Sequence, residues 1–188
     1  IDEIRFYVTA GAVGSTYSDP PLAPFSWNSA VASAGTAITY EQGFESGPAS
    51  WTVSSTSLST GAWEIADPQG TVYTPTGELA QPEDDAEAIT SATQCFVTGG
   101  LAGTSYGSFD VDGGPTDLLS PPFDLAGTDA VVSYSRWFFS TGTDILVVSV
   151  SGNDGVTWFT VETVTSNNTN QWLVSSFRVG DFITPTAN

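Results

Sequence analysis

Residues 144–164 read Asp144-Ile-Leu-Val-Val-Ser-Val-Ser151, then Gly152-Asn153-Asp154-Gly155, then Val156-Thr-Trp-Phe-Thr-Val-Glu-Thr-Val164. Two runs rich in β-branched and aromatic residues flank a cluster of turn formers, the strongest short-range signal for a pair of antiparallel strands. The period is two. Leu146, Val148 and Val150 share one face of the first strand and Phe159 and Val161 one face of the second, while Thr160 and Glu162 point the other way. The pattern predicts a hairpin packed on one side and wet on the other.

Outward from this hairpin, short strands are predicted at residues 51–53, 62–65, 94–98, 117–120, 130–139 and 172–179, with irregular stretches at 68–76 and 81–88. No segment keeps a helical period, and Gly and Pro punctuate the chain at fairly regular spacing. The fold class that follows is all-β, an antiparallel β-sandwich of the jelly-roll kind. Residues 1–8 alternate as well, with Ile4, Phe6 and Val8 on one face together with Asp2, and read as a strand. Residues 9–39 lose all periodicity. Their density of Gly, Ala, Ser and Pro describes an extended linker, anchored by Tyr17, Phe25 and Trp27 on another surface. The organisation is therefore a detached strand at 1–8, a linker at 9–39 and a sandwich domain at 40–188.

Composition bounds the function. The 188 residues suffice for one sizeable core. Three Arg, no Lys and 21 carboxylates give a net charge of -18, a field that repels phosphate backbones and anionic lipid, so neither nucleic acid nor membrane insertion is expected. One thiol, Cys95, cannot form an internal disulfide; it is a buried small hydrophobe or an intermolecular bridge. The scarcity of Lys, the abundance of Ser, Thr, Gly and Asn, and a start at Ile1 point to a processed, exported protein at the cell surface or outside the cell. Without His or Lys there is no Ser-His-Asp or Cys-His arrangement, no Schiff base and no His-ligated zinc. A carboxylate pair could still hydrolyse glycosides, but spacing singles out no pair, and no catalytic residue is assigned.

Three sets of residues are candidates for binding. Asp110-x-Asp112-Gly-Gly-x-Thr116-Asp117 packs oxygen ligands round a Gly turn, the hard environment calcium prefers; the competing reading is a solvated Asp-Gly turn. Glu83, Asp84, Asp85 and Glu87 form a looser acidic loop, read as solvated charge. Trp27, Trp63 and Trp172 are candidate stacking platforms for glycans, whereas Trp51, Trp137 and Trp158 read as core or sheet-edge cover. Asn167-Asn168-Thr169 matches an N-glycosylation acceptor at Asn167.

Two resemblances extend this reading. The turn Ser151-x-Asn153-x-Gly155-x-Thr157-Trp158 resembles the Asp-box hairpin turn, with Asn in place of Asp. The ordered motifs Phe44-Glu-Ser-Gly47, Gly61-x-Trp63-Glu64, Gln81-Pro-Glu-Asp-Asp85, Gln94-Cys-Phe-Val-Thr-Gly99, Asp110-Val-Asp-Gly-Gly-Pro-Thr116, Leu119-Ser-Pro-Pro-Phe-Asp-Leu125 and Ser133-Tyr-Ser-Arg-Trp137 resemble the MAM-like jelly-roll modules of secreted bacterial surface proteins and peptidases. That resemblance covers about residues 40–188. It implies a non-catalytic extracellular sandwich, often calcium-bearing, with Glu45 and Asp2 joining Asp110, Asp112 and Thr116 around the ion. Modules of this pattern continue past a segment like residues 181–188 into further strands, the last reading much like Ile1-Asp2-Glu3-Ile4-Arg5-Phe6.

The closing strand thus stands in front of the linker, and three placements are open. It can finish a preceding tandem module, fold back into its own domain, or insert into the next subunit as a donated strand, a heterologous contact that propagates into a homopolymer. The leading expectation is a non-catalytic structural or adhesive subunit whose Ile1, Ile4, Phe6 and Val8 join copies of itself. The alternative is a carbohydrate-binding accessory module of a larger secreted enzyme or adhesin.

Overall fold

The β-branched and aromatic runs do form strands. The computed structural model describes residues 3–8, 40–86, 92–100, 106–166 and 170–187; for residues 3–8 it describes the backbone. Among them are thirteen strands and one 3-10 turn, Val179–Asp181, and no α-helix, so the chain is all-β as expected. No helix among the described residues is long and apolar enough to cross a membrane.

The largest sheet has five strands in the order β12-β11-β1-β9-β2, built from Phe159–Val164, Ile145–Val150, Glu3–Val8, Thr116–Leu119 and Thr52–Ser55. Four two-stranded pairs accompany it: β10 (Val131–Arg136) with β13 (Leu173–Arg178), β3 (Leu58–Thr60) with β8 (Asp112–Gly113), β4 (Trp63–Ala66) with β7 (Cys95–Thr98), and β5 (Thr71–Tyr73) with β6 (Glu78–Gln81). Nine of these overlap the runs that the sequence marks as strands. The short β3, β5, β6 and β8 do not.

The hairpin of β11 and β12 forms, but its burial differs from the expected alternation. Leu146, Val147, Val148, Ser149 and Val150 are all buried, so β11 is covered on both faces. It has neighbours on both edges, β1 and β12, and a strand in that position reads as a continuous apolar run. β12 carries the wet surface instead, and a register shift opposite Val148 and Ser149 leaves Phe159 51 % exposed.

Two apolar clusters tie the sheets together. Leu125, Val150, Phe177 and Val179 are buried as one group, with Val132, Tyr134, Val161, Phe182 and Ile183 against it, so the β10–β13 pair lies against the β11–β12 hairpin. Phe138, Leu146 and Val164 form the second, capped by Trp63. A polar clamp crosses the same boundary. Arg136 of β10 donates through Nε (3.2 Å) and Nη2 (2.6 Å) to the two carboxylate oxygens of Glu162 on β12, and the Tyr134 hydroxyl donates to the same group at 2.7 Å. Burial pushes the Glu162 carboxyl up, but the bonds from Arg136 and Tyr134 outweigh it and hold the group below its ordinary value. Burial, and then the Glu162 carboxylate, raise the Tyr134 phenol.

Candidate assembly interface

β1 lies in the centre of the large sheet, paired on both edges. Against β11 the register runs Glu3↔Ile145 to Val8↔Val150, and against β9 it runs Ile4↔Thr116 to Tyr7↔Leu119. Both ladders are parallel, unlike the antiparallel pairings in the rest of the structure. Parallel neighbours need long crossover connections, and β1 is separated in sequence from β9 by β2 to β8 and from β11 by β2 to β10.

The rows of the sheet place Ile4, Phe6 and Val8 on one face, as the alternation predicts. Ile4 lies between Thr116 and Leu146, Phe6 between Leu118 and Val148, and Val8 beside Val150. These neighbours are all buried, with Thr116 and Val150 at 0 % and Val148 at 1 % exposure. On the other face Arg5 stands in register between Asp117 and Val147, so an acid and a base share one row. With β1 taken away, β9 and β11 would stand two strand spacings apart, roughly 10 Å, each with an unsatisfied backbone edge over an apolar floor. That slot accepts one extended strand of this register.

The expected calcium ligands do not converge. Glu45 Oε1 accepts the backbone N–H groups of Thr93 and Gln94 at 2.9 and 2.6 Å, which pins the entry to β7. The Thr116 hydroxyl is fully buried and accepts from Ser55 Oγ (3.0 Å) and the Trp63 N–H (3.3 Å). Asp110 and Asp112 are exposed. No group of three or more His, Cys, Asp or Glu that could hold a metal occurs among the described residues, and Asp2 lies outside them.

Of the stacking candidates, Trp172 is half-buried, donates to the Asp84 carbonyl at 3.2 Å and meets Trp137 edge-on at 5.8 Å. Trp63 caps the second apolar cluster and also lines an open cavity of about 210 Å³ with Glu64 and the exposed Phe109. Trp27 and Asn167 lie outside the described residues, as do Ile1 and residues 9–39. Trp51, read as core or edge cover, packs edge-on against Phe44 and donates to the Tyr40 hydroxyl.

In the acidic loop Glu83 and Asp84 are exposed, as expected, Asp85 is the exception, and Glu87 lies outside the described residues. Asp85 is 7 % exposed. It stands near Cys95, a free half-buried thiol that burial, followed by the charges of Asp85, Asp67 and Glu45, pushes up to about 12.

Fold and slot together define a class, an all-β protein whose largest sheet is completed by a strand remote in sequence from its neighbours. No protein-family model matches the chain, and no curated protein and no solved structure matches it either.

Proposed function

We propose that this protein is a non-catalytic extracellular structural or adhesive subunit that assembles into a filament by donating residues 1–8 to the large sheet of a neighbouring copy. The observation that supports this reading is the position of β1 between β9 and β11. The contact consists of two main-chain ladders and one shared apolar face, and none of these depends on the strand belonging to the same chain. The tether makes exchange possible. Residues 9–39 span at most roughly 100 Å when extended, against a diameter of about 40 Å for a domain of this size. Donor strand and acceptor slot are different patches, so the contact is heterologous and open-ended.

The test is light scattering with negative-stain microscopy on the chain and on a version lacking residues 1–8. Filaments are expected from the first, and the deleted version with a free peptide of residues 1–8 should give capped monomers. Phe6→Asp in the full chain should also abolish polymers. A full-length chain that stays monomeric across concentration and salt would sink the proposal and leave β1 as a strand of its own domain.

A glycan-binding module is the second reading, and the observation that favours it is the open cavity beside Trp63 and Phe109. Titration with soluble oligosaccharides, followed by chemical-shift changes, should then give binding that Phe109→Ala removes.

A further inference from the structure

The cavity beside Trp63 is built from residues far apart in the chain. Gly61 precedes β4, Gly99 follows β7 and Phe109 lies in the loop before β8, and the pairing of Trp63 with Thr98 brings the first two together. All three have left-handed backbones, with φ of +76°, +72° and +59°. For the two glycines the reason is close approach. A Cβ at Gly61 would lie 2.5 Å from the Asp110 carbonyl, and one at Gly99 would lie 2.9 Å from the Phe109 carbonyl oxygen. The main chain of residues 109–110 is therefore seated on both glycines, which fixes where Phe109 stands. Phe109 carries a bulky side chain in a conformation that such residues seldom adopt, and its ring is 54 % exposed. Backbone strain of this kind persists only where its surroundings hold it, and it clusters at binding sites.

One lining residue is charged. Glu64 is half-buried, and its Oε1 accepts the Gly100 N–H at 3.0 Å, while Oε2 has no partner among the described residues. No lining residue is basic. The chain has no Lys or His, and Arg136 and Arg178 are engaged by Glu162 and Asp129. An oriented carboxylate thus stands beside an exposed aromatic ring without a cation of its own. An anionic ligand is repelled here by Glu64 and by the field of the whole chain, and a neutral one strips water from the carboxylate without replacing it by a charge. An ammonium group meets both needs, through a charge-assisted bond to Oε2 and attraction to the aromatic ring. The cavity, about 210 Å³, is smaller than the roughly 300–1,000 Å³ of sites for drug-sized ligands, so it suits a single ring or head group.

We propose that this cavity binds an organic ammonium group, with Glu64 taking the charge and Phe109 covering the attached carbon skeleton. The inference rests on the cavity of the glycan reading and narrows its ligand to one that carries a protonated amine. It does not depend on strand donation. The group can come from an amino sugar within a glycan or from a small free amine, and the two sources present the same chemistry to Glu64.

The test is calorimetric titration of the full chain with glucosamine oligosaccharides, their N-acetylated counterparts and choline, below the pKa of the amine. The amine-bearing oligomers should bind at one site per chain, and the acetylated ones about tenfold more weakly or worse. Glu64→Gln keeps an acceptor for the Gly100 N–H but removes the charge, so it should lower amine affinity about tenfold and leave binding of the acetylated oligomers unchanged. Asp154→Asn, in the β11–β12 turn and outside the cavity, controls for the general attraction of cations to an acidic surface and should change nothing. Thermal midpoints show whether each variant is folded. Choline binding as tightly as the oligomers supports recognition of the ammonium group alone, and a preference for the oligomers supports an amino sugar as its source. Acetylated oligomers that bind as well as the amines would overturn the inference and leave the glycan reading standing. Equal losses in Glu64→Gln and Asp154→Asn would overturn it as mere surface attraction, and no binding by any of the ligands would overturn both readings of the cavity.

Discussion

At the scale of single residues, the hairpin turn shows a short polar side chain substituting for regular structure. Asn153 Oδ1 accepts from Ser151 Oγ (3.0 Å) and the Thr157 N–H (2.9 Å), while its Nδ2 donates to Thr157 Oγ1 at 2.9 Å. Ser151 Oγ in turn accepts the N–H of Gly155 at 3.0 Å. Asn153→Ala removes three of these bonds and should lower stability by about 1–2 kcal/mol in urea titration. Asn153→Asp keeps both acceptor roles, and the Thr157 hydroxyl can reverse to donate, so it should stay within about 0.5 kcal/mol of the parent. The motif was legible because each partner is within four residues. Glu45 was not: its two amides lie 48 and 49 residues away, and only the fold brings them close. Cys95 gives a second prediction. With its pKa near 12, its thiolate at pH 8 is about a thousandfold scarcer than that of an ordinary thiol, and Ellman's reagent should react with native protein slower by that order than with unfolded protein. The raised folded-state value also means that the protonated thiol's contribution to stability is complete below pH 9 and lost as pH rises toward 12. Cys95→Ser should flatten that part of the alkaline decline in thermal midpoint.

At the scale of elements, legibility followed locality. β10, β11, β12 and β13 are six residues long each and contain β-branched and aromatic side chains, and the sequence locates them. β3 is Leu-Ser-Thr and β8 is Asp-Gly, runs too short for a period, and their pairing follows from β2 and β9 pairing next to them in the chain. The alternation of residues 1–8 gave the strand and its apolar face, but no local signal can specify two parallel partners more than a hundred residues away. A glycine marks how closely these short pieces approach. Gly61 has φ +76°, and a Cβ there would lie 2.5 Å from the backbone of Asp110 and Val111. Gly77 has nearly the same φ, +78°, with nothing within 4 Å. Gly77→Ala should therefore cost only the left-handed backbone, about 1 kcal/mol. Gly61→Ala adds a clash between main chains and should cost about 2 kcal/mol more, read as the difference between the two urea midpoints at constant slope.

For the molecule as a whole, charge decides the conditions under which copies can meet. Of the three Arg residues, Arg136 is paired with Glu162, Arg178 binds Asp129 at 2.7 Å, and Arg5 stands in register with Asp117. With no Lys in the chain, each subunit presents a surplus of carboxylates, and two subunits at -18 repel at any orientation. A strand exchanged between them must therefore be held by main-chain ladders and the apolar rows at Phe6, Leu118 and Val148, which salt does not weaken, against a repulsion that salt removes. Polymerisation should consequently rise with ionic strength, the reverse of an assembly held by surface ion pairs. In a series from about 10 mM to 1 M sodium chloride, where the screening length falls from roughly 30 to 3 Å, the critical concentration should drop by at least an order of magnitude. Sodium sulfate should act more strongly than chloride at equal ionic strength, because it also favours apolar burial. A critical concentration that rises with salt would show that ion pairs carry the contact, and the apolar slot between β9 and β11 would then not be what joins the subunits.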